Sequence, residues 1–234
     1  MNRRSPFARL ATLAALAAGL AACNSSTELS LDPVTSGSVG GYAFHVTGGT
    51  IFQAEPNGPI YGDASGGRLV FDLGPSGLGM TNASRLQLRT QFALSSTGSV
   101  LMSAYGDAGN EFTTGLRVNV ARVATDMAYE MLSDATSLVV GTFDPPPFVP
   151  SAETWVVAEF YANDVPGFGS GQSGITLWKL DDLAPAVGSD VIGCSAPRAI
   201  DATNTHPGTA VGYQLTGGWI TDVKVVNNIV GPCP

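Results

Sequence analysis

The chain reads as an all-β protein, a two-sheet antiparallel sandwich. Three observations carry that reading. Apolar and polar residues alternate in short runs, best seen where Leu86, Leu88, Phe92 and Leu94 share one face and Arg85, Gln87, Arg89 and Gln91 the other. These runs are separated by Gly, Pro, Asn and Asp, and glycine alone supplies 29 of the 234 residues. No stretch shows a helical period, and no internal repeat or second composition regime divides the chain.

The first 22 residues stand apart. Arg3, Arg4 and Arg9 make a basic start, and Leu10 to Leu20 is an apolar run of Leu, Ala, Thr and Gly only. A bilayer span needs roughly 20 apolar residues, so the run has the length of an export signal. It ends in Leu20-Ala21-Ala22-Cys23. The small side chains leave the backbone open to a peptidase, and Cys23 offers a thiol. This segment resembles the lipobox of bacterial lipoproteins at all four positions. The resemblance implies cleavage before Cys23 and a diacylglyceryl group, with palmitate-type chains, on its sulfur. Two or three chains anchor stably where one does not. Asn24 in place of an aspartate implies the outer membrane within a cell envelope. The sequence thus divides into a signal peptide, 1–22, a lipidated tether, 23–39, without periodicity and rich in Ser, Thr and Gly, and one domain, 40–234.

Composition excludes some partners. The leader's charges are all arginines, so 8 of the 11 basic residues remain after it against all 19 acidic ones, a net charge of −11. That balance argues against nucleic acid and against electrostatic attachment to anionic lipid. Beyond Cys23 two cysteines remain, Cys194 and Cys233. In an exported protein such a pair reads as one disulfide.

Within the domain, Tyr42 to Val46 is the first expected strand, with Thr50 to Gln53 continuing it. Arg68 to Leu73, Arg85 to Leu94 and Val100 to Tyr105 follow, then a turn at Gly106 to Asn110. Phe112 to Val123 alternates, whereas Met127 to Leu132 fits a strand or one helical turn. Leu138 to Phe143 ends at Asp144-Pro145-Pro146-Pro147, where missing backbone donors force the chain out of a sheet. Thr154 to Ala162 is apolar on both faces, as a central strand would be. Ile175 to Leu180, Ala210 to Leu215 and Trp219 to Val226 complete the set, and residues 181–208 read as a long irregular loop.

Three late segments occur in a suggestive order: Trp155-Val156-Val157-Ala158-Glu159-Phe160, Ile175-Thr176-Leu177-Trp178, and Gly218-Trp219-Ile220-Thr221-Asp222-Val223-Lys224-Val225-Val226-Asn227. They resemble the closing strands of laminin-G-like domains with the concanavalin A-like jelly-roll fold. That family's last strand reads Gly-x-Ile-Asp-x-Val-x-Val-Tyr-Asn. Thr221 stands where its aspartate would be, and Val226 replaces its tyrosine. The resemblance implies a jelly roll, calcium at loop edges, and glycan as a ligand class.

Hydrolytic members of that family use Glu-x-Asp-x-x-Glu, which is absent here. Glycoside cleavage needs two carboxyls about 5–9.5 Å apart. Glu153 and Glu159 are too far apart along one strand, and Asp181 and Asp182 would point to opposite faces. His45 and His206 are isolated, and no Gly-x-Ser-x-Gly elbow or zinc-ligand spacing occurs. Asp107, Asn110 and Glu111 cluster in a glycine-containing turn, either a calcium site or a solvated β-turn. Tyr105 and Trp178 are candidate sugar platforms, with core packing as the alternative. The expected function is a non-catalytic, lipid-anchored envelope binding or adhesion module. A structural lipoprotein that binds another envelope protein, or a hydrolase with an unrecognised site, are the alternatives.

Overall fold

The computed structural model describes residues 32–73, 85–143, 155–162, 172–180, 191–195, 198–199 and 210–226. All regular structure there is β. The strands are β1 (Pro33–Val34), β2 (Ser36–Val39), β3 (Tyr42–Gln53), β4 (Ile60–Phe71), β5 (Arg85–Gly106), β6 (Leu116–Val123), β7 (Asp126–Ser133), β8 (Thr136–Phe143), β9 (Trp155–Ala162), β10 (Gln172–Leu180), β11 (Val191–Cys194), β12 (Arg198–Ala199) and β13 (Ala210–Val226). Every pairing between them is antiparallel.

Two very long strands organise the molecule. β5 runs 22 residues and β13 runs 17, and they pair along most of their length. On its other edge β5 holds two partners in succession: β9 along Arg85 to Thr90, and β6 along Ser99 to Ala104. The wing β6–β7–β8 and the wing β9–β10–β11 therefore spring from the same strand at different heights. The sheet folds over at the midpoint of β5, and the two wings become facing layers. The expected antiparallel sandwich is thus made from one hydrogen-bonded sheet bent on itself. β13, last in sequence, lies between β4 and β5. This is the Greek-key return from which jelly rolls are built.

Glycines mark the crease. Gly49, Gly66 and Gly217 have φ of +66°, +83° and +55°, a region that L side chains avoid. A Cβ on Gly49 would strike the Gly66 carbonyl, and one on Gly98 the Gly217 carbonyl. The register of β3–β4, β4–β13 and β13–β5 shifts at this line. Bulges of this kind bend strands and sharpen their twist.

The core fills the space between the layers. Phe44, Ile51, Ile60, Leu69, Leu86, Leu88, Val100, Met102, Leu116, Val118, Phe160, Ile175, Leu177, Tyr213 and Ile220 are all fully buried. Two side chains tie the layers at opposite ends. The Tyr42 hydroxyl donates to the Val225 carbonyl at 2.9 Å. Tyr129 on β7 reaches β11, its hydroxyl 3.4 Å from the Ile192 carbonyl, and its ring lies against Gly141 and Gly193, where any Cβ would collide with it.

The ordered domain begins earlier than the sequence suggests. Residues 33–39 of the expected tether include β1 and β2, and Val39 is fully buried. These strands pair by backbone along β3, and Gly37 leaves room for the Phe44 ring and the Gln53 amide. A short strand held this way needs no alternation in its sequence. Met127 to Leu132 is strand, and the segment expected to be irregular carries β11 and β12. The signal peptide, Cys23 and the remainder of the tether lie outside the described residues, as does Cys233. Among the described residues no helix is long and apolar enough to cross a membrane.

Candidate functional site

One surface collects exposed aromatic area. Phe52 on β3, Tyr61 on β4 and Trp219 on β13 occupy directly opposed positions on three neighbouring strands, and Ala93 on β5 continues the row. The row sits just beside the crease, on the face turned away from Ile51, Ile60 and Ile220. Ring centroids are 6.1 Å apart for Phe52 and Tyr61 and 4.6 Å apart for Tyr61 and Trp219, with planes inclined by 34° and 33°. Rings this close stand side by side and cover one another's faces. The outer face of Trp219 borders Ala93, whose methyl group fills little space. Trp219 is 39 % exposed. Exposed Thr221, the bulged residue of β13, follows two residues later and donates its hydroxyl to the Gln91 carbonyl at 3.2 Å, and Gln91 and Ser95 stand two residues either side of Ala93 on β5.

Local chemistry fixes this row. Phe52 and Tyr61 stand either side of the loop Ala54-Glu55-Pro56-Asn57-Gly58-Pro59. Asn57 adopts φ 60°, its side chain accepts from the Gly41 N–H at 2.9 Å, and its own N–H donates to the Ser38 carbonyl at 2.9 Å. The Gln53 amide donates to the carbonyls of Ser38 (2.6 Å) and Gly58 (2.9 Å). The loop is thereby tied to β2, and the aromatic register is set from both ends.

The aromatic candidates from sequence fall elsewhere. Tyr105 and Trp178 are each 1 % exposed, so neither presents a face to a ligand. Tyr105 occupies a bulge between Ala104 and Gly106 with φ 60°, which turns its ring inward. Burial pushes its hydroxyl well above the usual tyrosine range. Trp178 packs with Val157 and Val191. The alternative reading of both, core packing, is the observed one.

The turn holding Asp107, Asn110 and Glu111 is closed by its own bonds. Asn110 N–H donates to the Asp107 carbonyl at 2.9 Å, and the Asn110 carbonyl accepts from the N–H groups of Thr113 and Thr114 at 3.0 Å each. Glu111 Oε1 accepts from the Gly109 N–H at 2.6 Å, and the Glu111 carbonyl accepts from the Ser103 hydroxyl. Arg117, buried below, donates to the Phe112 carbonyl at 2.7 Å and to the Asp134 carbonyl. Among the described residues no group of three His, Cys, Asp or Glu side chains converges as a metal cage.

A second polar feature crosses the outer face of the β5–β9–β10–β11 layer. Gln87, Glu159, Thr176 and Cys194 are consecutive cross-strand partners. Glu159 is fully buried. Its Oε2 accepts from the Tyr161 hydroxyl at 2.5 Å, and its Oε1 accepts from the Gln87 amide. Arg89 Nε donates to Gln87 Oε1 at 2.9 Å. Burial lowers the Arg89 pKa, and the nearby Glu159 charge offsets part of that. Thr176 Oγ1 lies 3.2 Å from the Tyr161 hydroxyl and 3.8 Å from Cys194 Sγ. Each carboxylate oxygen of the glutamate thus accepts a hydrogen bond, as its burial requires. On the opposite layer, His45 Nδ1 and Asp72 Oδ1 lie 2.6 Å apart, both about half exposed.

Sequence reading did not single out Phe52, Tyr61 or Trp219 as a group. The available signal was the Pro-Asn-Gly-Pro turn, which folds Phe52 back toward Tyr61. Trp219's place beside Tyr61 depends on the return of β13, which no local pattern encodes.

No family model matches the chain, and no curated protein matches it. Solved structures to which it is similar include the carbohydrate-binding module CBM66 from Bacillus subtilis, at 10 % identity and TM-score 0.46, covering 80 % of this chain and 96 % of that one. Sheep galectin-11 aligns at 12 % identity and TM-score 0.32, covering 63 % of this chain and 92 % of that one. A xylan β-1,4-xylosidase from Bacillus halodurans aligns at 9 % identity and TM-score 0.42, covering 74 % of this chain and 33 % of that one.

Proposed function

We propose that this protein is a non-catalytic, lipid-anchored binding module of the bacterial cell envelope that takes a neutral glycan against Trp219. The observation that supports the ligand class is the exposed indole, braced on one face by Tyr61 and bordered by Ala93 on the other. A pyranose ring offers an apolar face of axial C–H groups and a rim of hydroxyls. An aromatic face with hydroxyl and amide neighbours complements both. The net charge of −11 after the leader disfavours polyanionic glycans. The anchor rests on the lipobox-like Leu20-Ala21-Ala22-Cys23 and assigns the outer membrane from Asn24.

Two measurements test the proposal separately. Against a panel of neutral and acidic polysaccharides, thermal shift should rise for a neutral member and the rise should vanish in Trp219→Ala. A panel without any response, or an undiminished response in Trp219→Ala, refutes the ligand reading. In the native host, Cys23→Ser should move the protein from the membrane to the soluble fraction. Continued membrane association would refute the anchor.

A further inference from the structure

We propose that the glycan held against Trp219 is the neutral sugar headgroup of a lipid in the same membrane that carries Cys23, so that anchor and binding face engage one surface. The inference rests on the ligand and anchor readings above and adds the source of the sugar. The aromatic row points to that source by where it starts. Pro33, the first residue of β1, is exposed and directly opposes Phe52, which opposes Tyr61, which opposes Trp219. Directly opposed residues share one face of a sheet. The chain arriving from Cys23 therefore joins the domain at the end of the row. Three strand spacings, about 14 Å, separate Pro33 from Trp219.

The connecting chain is short. β1 and β2 hold residues 33–39 against β3, so only residues 24–32 separate Cys23 from the first strand. Ten Cα–Cα steps reach about 35 Å when fully extended and about 18 Å as a flexible coil. Adding the row, Trp219 is confined to within roughly 30–50 Å of the lipid on Cys23. Reach and strength agree. Tyr61 occupies one face of the indole, and the one face left open supports binding of roughly millimolar strength. Dilute free polysaccharide would leave such a site empty. A short flexible tether presents a membrane-borne sugar at an effective concentration on the order of millimolar, which fills it. The rest of the row suits the same depth. Phe52 and Tyr61 are partly exposed beside it, and the rings of Tyr and Trp settle where polar and apolar groups meet at a bilayer surface. The acidic balance beyond the leader restricts the choice to neutral headgroups.

The test uses the protein purified from its host membrane, with the lipid on Cys23 checked by mass. It is reconstituted into vesicles of phosphatidylcholine alone, or of phosphatidylcholine with a diacylglycerol bearing glucose, galactose or mannose. Hydroxyl-radical oxidation of Trp219, read by peptide mass against buried Trp178 as an internal reference, reports how far the indole is covered. One of the glycolipids should lower Trp219 oxidation several-fold relative to phosphatidylcholine alone. Inserting about ten Gly and Ser residues after Asn24 doubles the tether without touching β1, and should raise the glycolipid density needed for half protection about threefold. The same sugar as a free methyl glycoside should protect only at roughly millimolar concentration or above. Equal cover on phosphatidylcholine alone, protection indifferent to tether length, or free polysaccharide protecting at a lower sugar concentration than the vesicles overturns the membrane source and leaves the glycan reading standing. No protection by vesicle-borne or free sugar overturns the glycan reading and this inference together. An unmodified Cys23 overturns the anchor reading, and the inference falls with it.

Discussion

Tyr61 and Trp219 stack across β4 and β13 with ring centroids 4.6 Å apart, on a face that the core does not reach. The pair does two things at once. It joins the last strand to an early hairpin, and it leaves one indole face beside the small Ala93. Stacked aromatic pairs contribute about 0.5–1.5 kcal/mol beyond their buried area. Trp219→Ala loses that contribution together with the buried part of the indole, so it should lower the melting temperature by several degrees or more in a domain of this size. Trp219→Phe should keep most of that stability. Calorimetry of the two variants checks this, and a collapse of Trp219→Phe would show that the indole is needed for folding itself.

Tyr129 closes the sandwich against two glycines. A Cβ at position 141 would lie 2.5 Å from its hydroxyl. Gly141→Ala should cost about 1–3 kcal/mol, the usual range for forcing an extra carbon into a filled site. Neighbours of this kind do not act additively. In a Tyr129→Leu background the same substitution should cost much less. Urea unfolding of the four variants measures the coupling, and an equal cost in both backgrounds would refute the collision.

Tyr213 is fully buried, its hydroxyl 2.5 Å from Thr90 Oγ1, and burial raises its pKa far above the ordinary value of 10.0; Tyr105 is raised likewise. A raised folded-state pKa means that the folded state keeps its proton where the unfolded chain has lost it. Stability is then fully present below pH 10 and falls as pH climbs beyond it. Tyrosinate absorbance should show these two residues ionising only together with the loss of near-ultraviolet circular dichroism. Ionisation of all six tyrosines before any unfolding would contradict the burial.

Most of the fold was legible locally, because period-2 alternation survives wherever one face meets the core. Leu86 and Leu88 against Gln87 and Arg89 are the clearest instance. What escaped was long-range. The sequence separates Arg85 to Leu94 from Val100 to Tyr105, because Ser95-Ser96-Thr97-Gly98 carries no apolar alternation, yet the glycine crease carries the pairing with β13 on to Ser99. The sequence leaves Trp178 and Tyr105 open between ligand platform and core packing for a related reason. Both are flanked by residues that alternate, and alternation does not tell an outer face open to solvent from one that is covered. The aromatic row needed three strand registers at once, which a single sequence does not display.

The turn around Asn110 tests the calcium expectation. Glu111 Oε1 already accepts from the Gly109 N–H, and the Asn110 carbonyl from the N–H and hydroxyl groups of Thr113 and Thr114, so an ion drawing on these oxygens would compete with those bonds. With those bonds in place, the melting temperature should be the same in chelator and in excess calcium. A ligand that binds only the folded state raises it by mass action, so a calcium-dependent increase would show that the turn rearranges to hold the ion.

Cys194 closes β11, opposite Thr176 and next to fully buried Ser195, whose hydroxyl accepts from the Ile175 N–H at 2.7 Å. A bridge from this position to Cys233 would fasten the segment around Cys233 to β11, which among the described residues pairs with β10 alone. That strand is four residues long and pairs with β10 at Thr176, Leu177 and Trp178. The loop so closed spans about 40 residues, for which chain entropy gives roughly 4 kcal/mol as an upper figure. An exported protein meets an oxidising compartment that permits the bond. Peptide mapping without reductant should yield a linked Cys194–Cys233 peptide. Cys233→Ala should then lower stability and speed proteolysis around residues 185–208. Membrane attachment through Cys23 should not change. Alkylation of both thiols in the native protein would exclude the bridge, and β11 would then depend on the Tyr129 contact and the Ser195 hydrogen bond.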